Sequence, residues 1–387
     1  MNIKERVYAA IKFKTVDRIP NTYRAIPYLS KSLLKYFGEK KPDLYRDYKK
    51  LIKILGADFY SHGAGPGMFS TFVPECFAPD PAVPYYKDFW FFYALGINSN
   101  KKIIPEYDWE YFNPGLEPPL GNIQAKTDIK SDFLMSKINY FDFNAYHNFH
   151  DRFKNKDNSD SLNLLKYENI KVTNEDFILM GNMNQIFLIC CYLRGMDQFL
   201  VDLVSNKELA EHIINEVGQF CIEFNKKELE GFGKKAEWYY MWDDVAGQDG
   251  MMFNPEIFKK FFLPIYKKLI ENVKKYNLVF SWHCCGNVND ILQSMIDAGI
   301  DVFDVVQTSA KDMELEKIHK KFGKSICLHG GIDVQKLLIK GKPEDIKREV
   351  EKVKDLWGNR GGMIMAPSHE ILPETPIENI LAIYENL

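Results

Sequence analysis

From residue 236 to residue 384 the chain alternates short apolar runs with amphipathic helical stretches. The connections between them are short. The apolar runs 236–242, 278–283, 301–306, 325–329 and 362–366 have strand length and composition. Helical stretches separate them. One is opened by Asn254 and Pro255, one by Asn289 with a stop at Gly299, and three more cover 317–322, 343–357 and 377–384. Strands joined through helices are parallel, because a hairpin cannot join parallel neighbours. The first half supplies three further strands, at 18–23, 57–61 and 177–180, and a long helix over 205–231 with Ser205 and Glu208 as a capping box. Eight strands is the number that closes an α/β barrel. The expected fold is therefore a (β/α)8 TIM barrel, one domain over residues 1–387. An open doubly wound sheet is the competitor. No glycine-rich phosphate turn follows any of the strands, which argues against it.

Residues 64–175 break the rhythm. They are rich in Pro, Asn, Asp and aromatics, with Tyr85, Tyr86, Phe89, Trp90, Phe91 and Phe92 close together. This reads as an insertion after the second strand, a lid or hairpins over the barrel mouth. The formal net charge of −3 argues against nucleic acid and anionic membranes as partners, since both select a basic surface. No apolar run reaches the ~20 residues of a membrane span. The opening Met1-Asn2-Ile3-Lys4-Glu5-Arg6 starts an amphipathic pattern and lacks the apolar stretch of a signal peptide, so a cytoplasmic location is expected. The seven cysteines (Cys76, Cys190, Cys191, Cys221, Cys284, Cys285, Cys327) are odd in number and include two adjacent pairs. That usage suits a reducing compartment.

In an α/β barrel the polar residues just past the strand C-termini face the active site. Here those positions hold Asp243, Asp244, His283, Cys285, Gln307, Gly331, Asp333 and His369, with His62 after the second strand. His283 and Cys285 are two apart on an extended segment, so both side chains point to one face while Cys284 points away. His369, after the last strand, can reach the same point across a narrow barrel. Imidazole and thiolate together suit zinc, and three protein ligands leave a position for substrate. Plainer readings stand beside this one. A single His-x-Cys arises by chance, His369 can be a hydrogen-bonded loop residue, and Asp243 and Asp244 can brace loops. Tyr239, Tyr240 and Trp242 can pack the barrel, and Cys190, Cys191, Cys221 and Cys327 read as core.

Five segments occur in a telling order: Trp242-Asp243-Asp244-Val245-Ala246-Gly247-Gln248, His283-Cys284-Cys285-Gly286-Asn287-Val288, Val305-Val306-Gln307, His329-Gly330-Gly331-Ile332-Asp333, and Ala366-Pro367-Ser368-His369 with Pro373-Glu374-Thr375-Pro376. Together, and with Val16-Asp17-Arg18-Ile19-Pro20, they resemble the uroporphyrinogen decarboxylase superfamily. The resemblance covers 177–387 well and 64–175 poorly. It is nearest to the zinc-dependent corrinoid methyltransferases of the methylcobalamin:coenzyme M type. In those a His-x-Cys pair and a later Cys hold zinc; His283 and Cys285 fit the pair, and His369 stands at the later position. The resemblance implies methyl transfer between a small methylated substrate or thiol and a corrinoid carried by a partner protein. Asp243 and Asp244 would orient His283 or manage a proton, and His62, Tyr240, Gln307 and Asp333 would meet substrate. The alternatives are a decarboxylase of a smaller carboxylic substrate and a non-catalytic corrinoid or tetrapyrrole-binding protein. Uroporphyrinogen itself fits poorly. It carries eight carboxylates, and Arg24 is the one arginine in the loop that would have to pair them.

Overall fold

The computed structural model describes residues 1–42, 44–60, 68–70, 99–104, 109–114, 118–130, 133–140, 177–181, 185–234 and 236–385. His62, Cys76 and most of 64–175 lie outside the described residues. The strands are β1 (Thr22–Tyr23), β2 (Phe59–Tyr60), β3 (Met68–Ser70), β4 (Ser99–Ile104), β5 (Trp109–Pro114), β6 (Phe177–Gly181), β7 (Trp238–Trp242), β8 (Val279–His283), β9 (Val302–Val306), β10 (Cys327–Ile332) and β11 (Met363–Pro367). Seven of them form one parallel sheet in the order β11-β10-β9-β8-β7-β6-β3. Past β11 the parallel arrangement continues through a bridge, Asn21 with Met365, and the bond from Met365 N–H to the Pro20 carbonyl (2.8 Å). β1 then pairs in parallel with β2. Among the described residues no ladder joins β2 to β3. The fold is thus the α/β, parallel-sheet fold of the barrel type, with each of the eight expected strands present as β1, β2 and β6 to β11.

The sequence chemistry explains the layers. One residue near the start of each of six strands (Trp238, Val279, Val302, Cys327, Phe59 and Ile364) joins an apolar plug. The helix Ile3–Ile11 adds Val7 and Ile11 to it and so closes that end. The main core lies between the outer strand faces and the helices, where Tyr239, Met241, Phe280, Trp282 and Phe303 meet residues such as Tyr266, Phe220 and Leu292. Charge ties the closing helix in place. Arg6 donates twice to Asp17 (2.7 and 2.8 Å) and once to the buried Asp58 (2.5 Å), which also receives Arg18 and the Asn21 N–H.

Local chemistry departs from the sequence expectation at several helix starts. Ser205 does not cap the long helix; its hydroxyl donates back to the Val201 carbonyl (2.9 Å) and it ends a separate helix, Met196–Ser205. That back-bond occupies the group a cap would use. Asn206 takes the cap position of Lys207–Phe232. Asn289 does not cap either: its amide donates to the Asp312 carbonyl (2.9 Å), and the helix Leu292–Ala298 starts from Ile291, ending at left-handed Gly299 as expected. Asn254 does cap, accepting from Glu256 N–H (2.8 Å). β10 runs on through both glycines to Ile332. A Cβ on Gly330, whose φ is +122°, would sit 2.7 Å from Val305 Cγ2, so only glycine lets the strands stay this close.

The 64–175 stretch holds an antiparallel hairpin, β4 with β5, and also β3, which pairs in parallel with β6 and so belongs to the main sheet. Its stretch 118–140 packs onto helices: Leu120 and Gly121 carbonyls accept from Arg194, Gln124 from Asn206, and Leu134 and Ile138 join the main core. No described helix is long and apolar enough to cross a membrane. Because Asp58 is sealed from water, Arg6→Ala is expected to cost about 3 kcal/mol of unfolding free energy in urea titrations. Lys347→Ala, at the exposed pair with Glu385, is expected to leave the urea midpoint almost unchanged.

Candidate functional site

Strand register builds the site. His283 on β8 lies opposite Asp304 on β9, and Asp304 opposite His329 on β10. Neighbours in register sit in one layer of the barrel interior, directly above the apolar plug. Asp304 is fully buried and gathers cations and hydroxyls around it. Its Oδ2 lies 2.6 Å from His283 Nδ1, accepts from Tyr240 OH (2.8 Å) and meets Arg24 Nη1 at 3.4 Å. Its Oδ1 lies 3.0 Å from His329 Nδ1. His329 Nε2 in turn faces Thr22 Oγ1 (3.0 Å). Burial alone would raise the Asp304 pKa, but His283, His329 and Arg24 together hold it well below the usual carboxylate range. Burial disfavours a charged His283, yet Asp304 and the Cys285 sulfur outweigh it and raise the imidazole to about 10. Burial and Asp304 push the Tyr240 phenol well above its ordinary value.

With Nδ1 engaged by Asp304, His283 presents Nε2 to the strand ends. Cys285 Sγ is 3.4 Å from it, and Asp244 Oδ1 is 4.0 Å away. The backbone positions these groups tightly. Cys285 N–H donates to Asp244 Oδ1 (2.8 Å), Gly286 N–H to Gln307 Oε1 (2.7 Å), and Asn287 N–H to the Gly247 carbonyl (2.9 Å). Gly286 has φ +86°, and a Cβ there would lie 2.4 Å from the Gly247 oxygen. The glycine after the cysteine pair is what lets the two loops touch.

Imidazole nitrogen, thiol sulfur and carboxylate oxygen are a donor set for a divalent ion of the zinc type. The ligand atoms of Asp244, His283 and Cys285 all lie within 4.8 Å of one another. The Nδ1 bond to a buried carboxylate is also what an imidazole ligand needs to fix its tautomer and direction. His369 lies just past β11 with its surface open, outside this triad. Protein around its ring, with Arg24 and His283 adding to the effect, holds its imidazole down to about 4.

The other candidates are distributed as follows. Asp243 is fully buried, and its oxygens accept from Phe187 N–H (2.8 Å), Leu188 N–H (3.0 Å) and Tyr266 OH (2.5 Å). It thereby caps the start of the helix Ile186–Arg194, and burial outweighs those bonds to raise its pKa to about 7. Asp333 accepts from the N–H groups of Gln335, Lys336 and Leu337 at the turn after β10. Gln307 holds the Gly286 loop, and Tyr240 reaches the site through Asp304. Cys284 is buried and accepts from Val245 N–H (3.4 Å), whereas Cys285 is partly open. Sequence reasoning passed over Asp304. The signal was present in Val302-Phe303-Asp304-Val305-Val306: a carboxylate inside an apolar strand must be paired.

A parallel sheet of this kind, with polar side chains gathered at the strand C-termini, is consistent with the α/β-barrel architecture. The chain belongs to the uroporphyrinogen decarboxylase family: residues 148–387, more than half of its length, match the family model "Uroporphyrinogen decarboxylase (URO-D)". It is 28% identical over 221 residues to a methylcobamide:CoM methyltransferase, MtaA, of Methanosarcina barkeri, covering 56% of this chain and 60% of that protein. It is 24% identical over 217 residues to a uroporphyrinogen decarboxylase of Geotalea daltonii, covering 54% and 58% respectively. The matched stretch therefore spans well under two thirds of these relatives. A solved methyltransferase from Methanosarcina mazei superposes with a TM-score of 0.61 at 19% identity, over 99% of this chain and 97% of that one, which shows a shared fold.

The His283–Asp304 contact predicts a pH dependence for protein kept metal-free by a chelator. A histidine whose folded pKa is raised adds stability below its unfolded value, about 6.5, and loses it as pH climbs toward the folded value. Urea midpoints should thus fall between about pH 6.5 and the value near 10 given above. Asp304→Asn should flatten that slope. An identical slope in the variant would contradict the contact.

Proposed function

We propose that this protein is a zinc-dependent methyltransferase that moves a methyl group between a small methylated compound or thiol and a corrinoid held by a partner protein. The observation that carries the reading is the pairing of His283 Nε2 with Cys285 Sγ at 3.4 Å, with Nδ1 held from behind by Asp304 at 2.6 Å. A buried imidazole fixed on one side and open beside a thiol on the other is arranged for a soft divalent ion. Zinc bound there would supply Lewis acidity, either to keep a substrate thiol as thiolate or to polarise the oxygen of a methyl ether or alcohol. Similarity to the methylcobamide:CoM methyltransferases, at 23–28% identity, supports the same chemistry.

The chain's own residues have definable parts in this scheme. Asp304 keeps His283 in the tautomer that leaves Nε2 free, and Tyr240 and Arg24 keep Asp304 in place. Gln307 and Gly286 hold the Cys285 segment against the Asp244 loop. His369, at the open end, is available to accept a hydrogen bond from substrate. Arg24 is buried and its Nε has no hydrogen-bond partner among the described residues, so it favours a second reading in which a small carboxylic substrate is bound and decarboxylated. The decarboxylase relatives, at 22–24% identity, support that alternative.

Two measurements separate the readings. Anaerobic mixing with cob(I)alamin and a panel of methyl ethers, methanol, methylamines and methyl thiols should give the methylcobalamin spectrum with at least one donor. Carbon dioxide release from carboxylic substrates, with no methylcobalamin from any donor, would favour the decarboxylase. Protein purified without a His tag should carry about one zinc per chain. Cys285→Ala should lose it and Cys284→Ala should keep it. Equal zinc in the two variants would refute the ligand assignment.

A further inference from the structure

We infer that the third protein ligand of the metal is Asp244, and that His369 stays off the ion. The inference rests on the zinc reading above and refines it. Among the described residues, Asp244, His283 and Cys285 are the group whose potential ligand atoms all fall within 4.8 Å of one another, and His369 is not a member. Two ligand atoms on one tetrahedral zinc stand ~3.3–3.7 Å apart, given bond lengths of about 2.0–2.3 Å. The 3.4 Å between His283 Nε2 and Cys285 Sγ already matches. The 4.0 Å between Nε2 and Asp244 Oδ1 is slightly long. Asp244 has room to close it, since 31% of its side chain is exposed.

Independent contacts hold Asp244 at this point. Its Oδ1 accepts from the backbone N–H of Cys285 (2.8 Å), so the carboxylate is tied to the segment that carries the thiol. That segment is in turn fixed to the Asp244 loop by the Asn287 N–H to Gly247 carbonyl bond (2.9 Å) and by the Gly286 contact. Asp243, one residue earlier, faces the opposite way and caps a helix. This alternation on an extended turn leaves Asp244 as the carboxylate directed at the strand ends. Charge gives the assignment a consequence. A neutral imidazole, a thiolate and a carboxylate together offset a divalent ion, whereas a second imidazole in place of the carboxylate would leave a net positive centre. A neutral centre holds an anionic fourth ligand less tightly, because the Coulomb attraction is weaker.

The test uses the full-length, untagged chain stripped of metal. Zinc is titrated back in competition with a chromophoric chelator, and cobalt(II) is substituted to read the ligand field. Asp244→Asn keeps an acceptor for the Cys285 N–H but removes the charge, so the loop is retained. It should weaken zinc affinity by about 100-fold or more, exceeding the 10–100-fold typical of residues that act behind a ligand. It should also shift the cobalt ligand-field bands while leaving the thiolate-to-cobalt charge-transfer band in place. His369→Ala should change affinity by less than about threefold and leave both bands alone. Circular dichroism and thermal midpoints of the metal-free variants check that the fold is kept. Unchanged zinc affinity in Asp244→Asn, or a large loss in His369→Ala, would overturn the assignment while leaving a zinc site in place. Failure of the wild-type chain to bind zinc would overturn the metal reading itself, and the assignment with it.

Discussion

Asp304 sits with no exposed surface inside the barrel, and the arrangement of the site follows from what must be done with its charge. A lone carboxylate in that environment is strongly disfavoured, so it persists only with cations and donors at close range. His283, Tyr240 and Arg24 converge on one oxygen and His329 stands beside the other. Each comes from a different strand or from the segment after β1. The carboxylate therefore links four positions that are distant in sequence, and it sets the direction of the imidazole that faces Cys285.

This polar layer lies between two different environments. Below it, Trp238, Val279, Val302, Cys327, Phe59 and Ile364 form the apolar plug, and the Ile3–Ile11 helix shuts that end. Above it, the loops after β7 and β8 meet through Gly286 and Gly247 and carry Asp244 and Cys285. At the strand C-termini stand the exposed His369 and the partly open Cys285. The result is a group of donors anchored from the buried side and approachable from the other, the geometry a reactive centre requires.

Much of this was legible beforehand. The strand–helix rhythm of 236–384 is a local property, and it named the strands that appear as β7 to β11. Strand ends in a parallel barrel face one mouth, which picked out His283 and Cys285 together; the sequence set His369 beside them as the third ligand and gave Asp244 a supporting part, whereas the close group of potential ligand atoms is Asp244, His283 and Cys285. The weak points were positions where a polar side chain had two possible partners. Ser205 and Asn289 carry cap chemistry but bond to Val201 and Asp312 instead. Asp243 and Asp244 look alike in sequence, yet one caps a helix and the other stands beside the cysteine.

By itself the amino-acid sequence determined the periodicities, and with them the parallel α/β architecture and the alternation that separates Cys284 from Cys285. These depend on residues near one another along the chain, whose geometry is repeated in every helix and strand. Tertiary structure alone decided which carboxylate stands behind His283 and which stands beside Cys285. Those contacts depend on register between β8, β9 and β10 and on two loops touching at Gly286. Register and loop contact are set by packing across the whole sheet, which no single segment encodes.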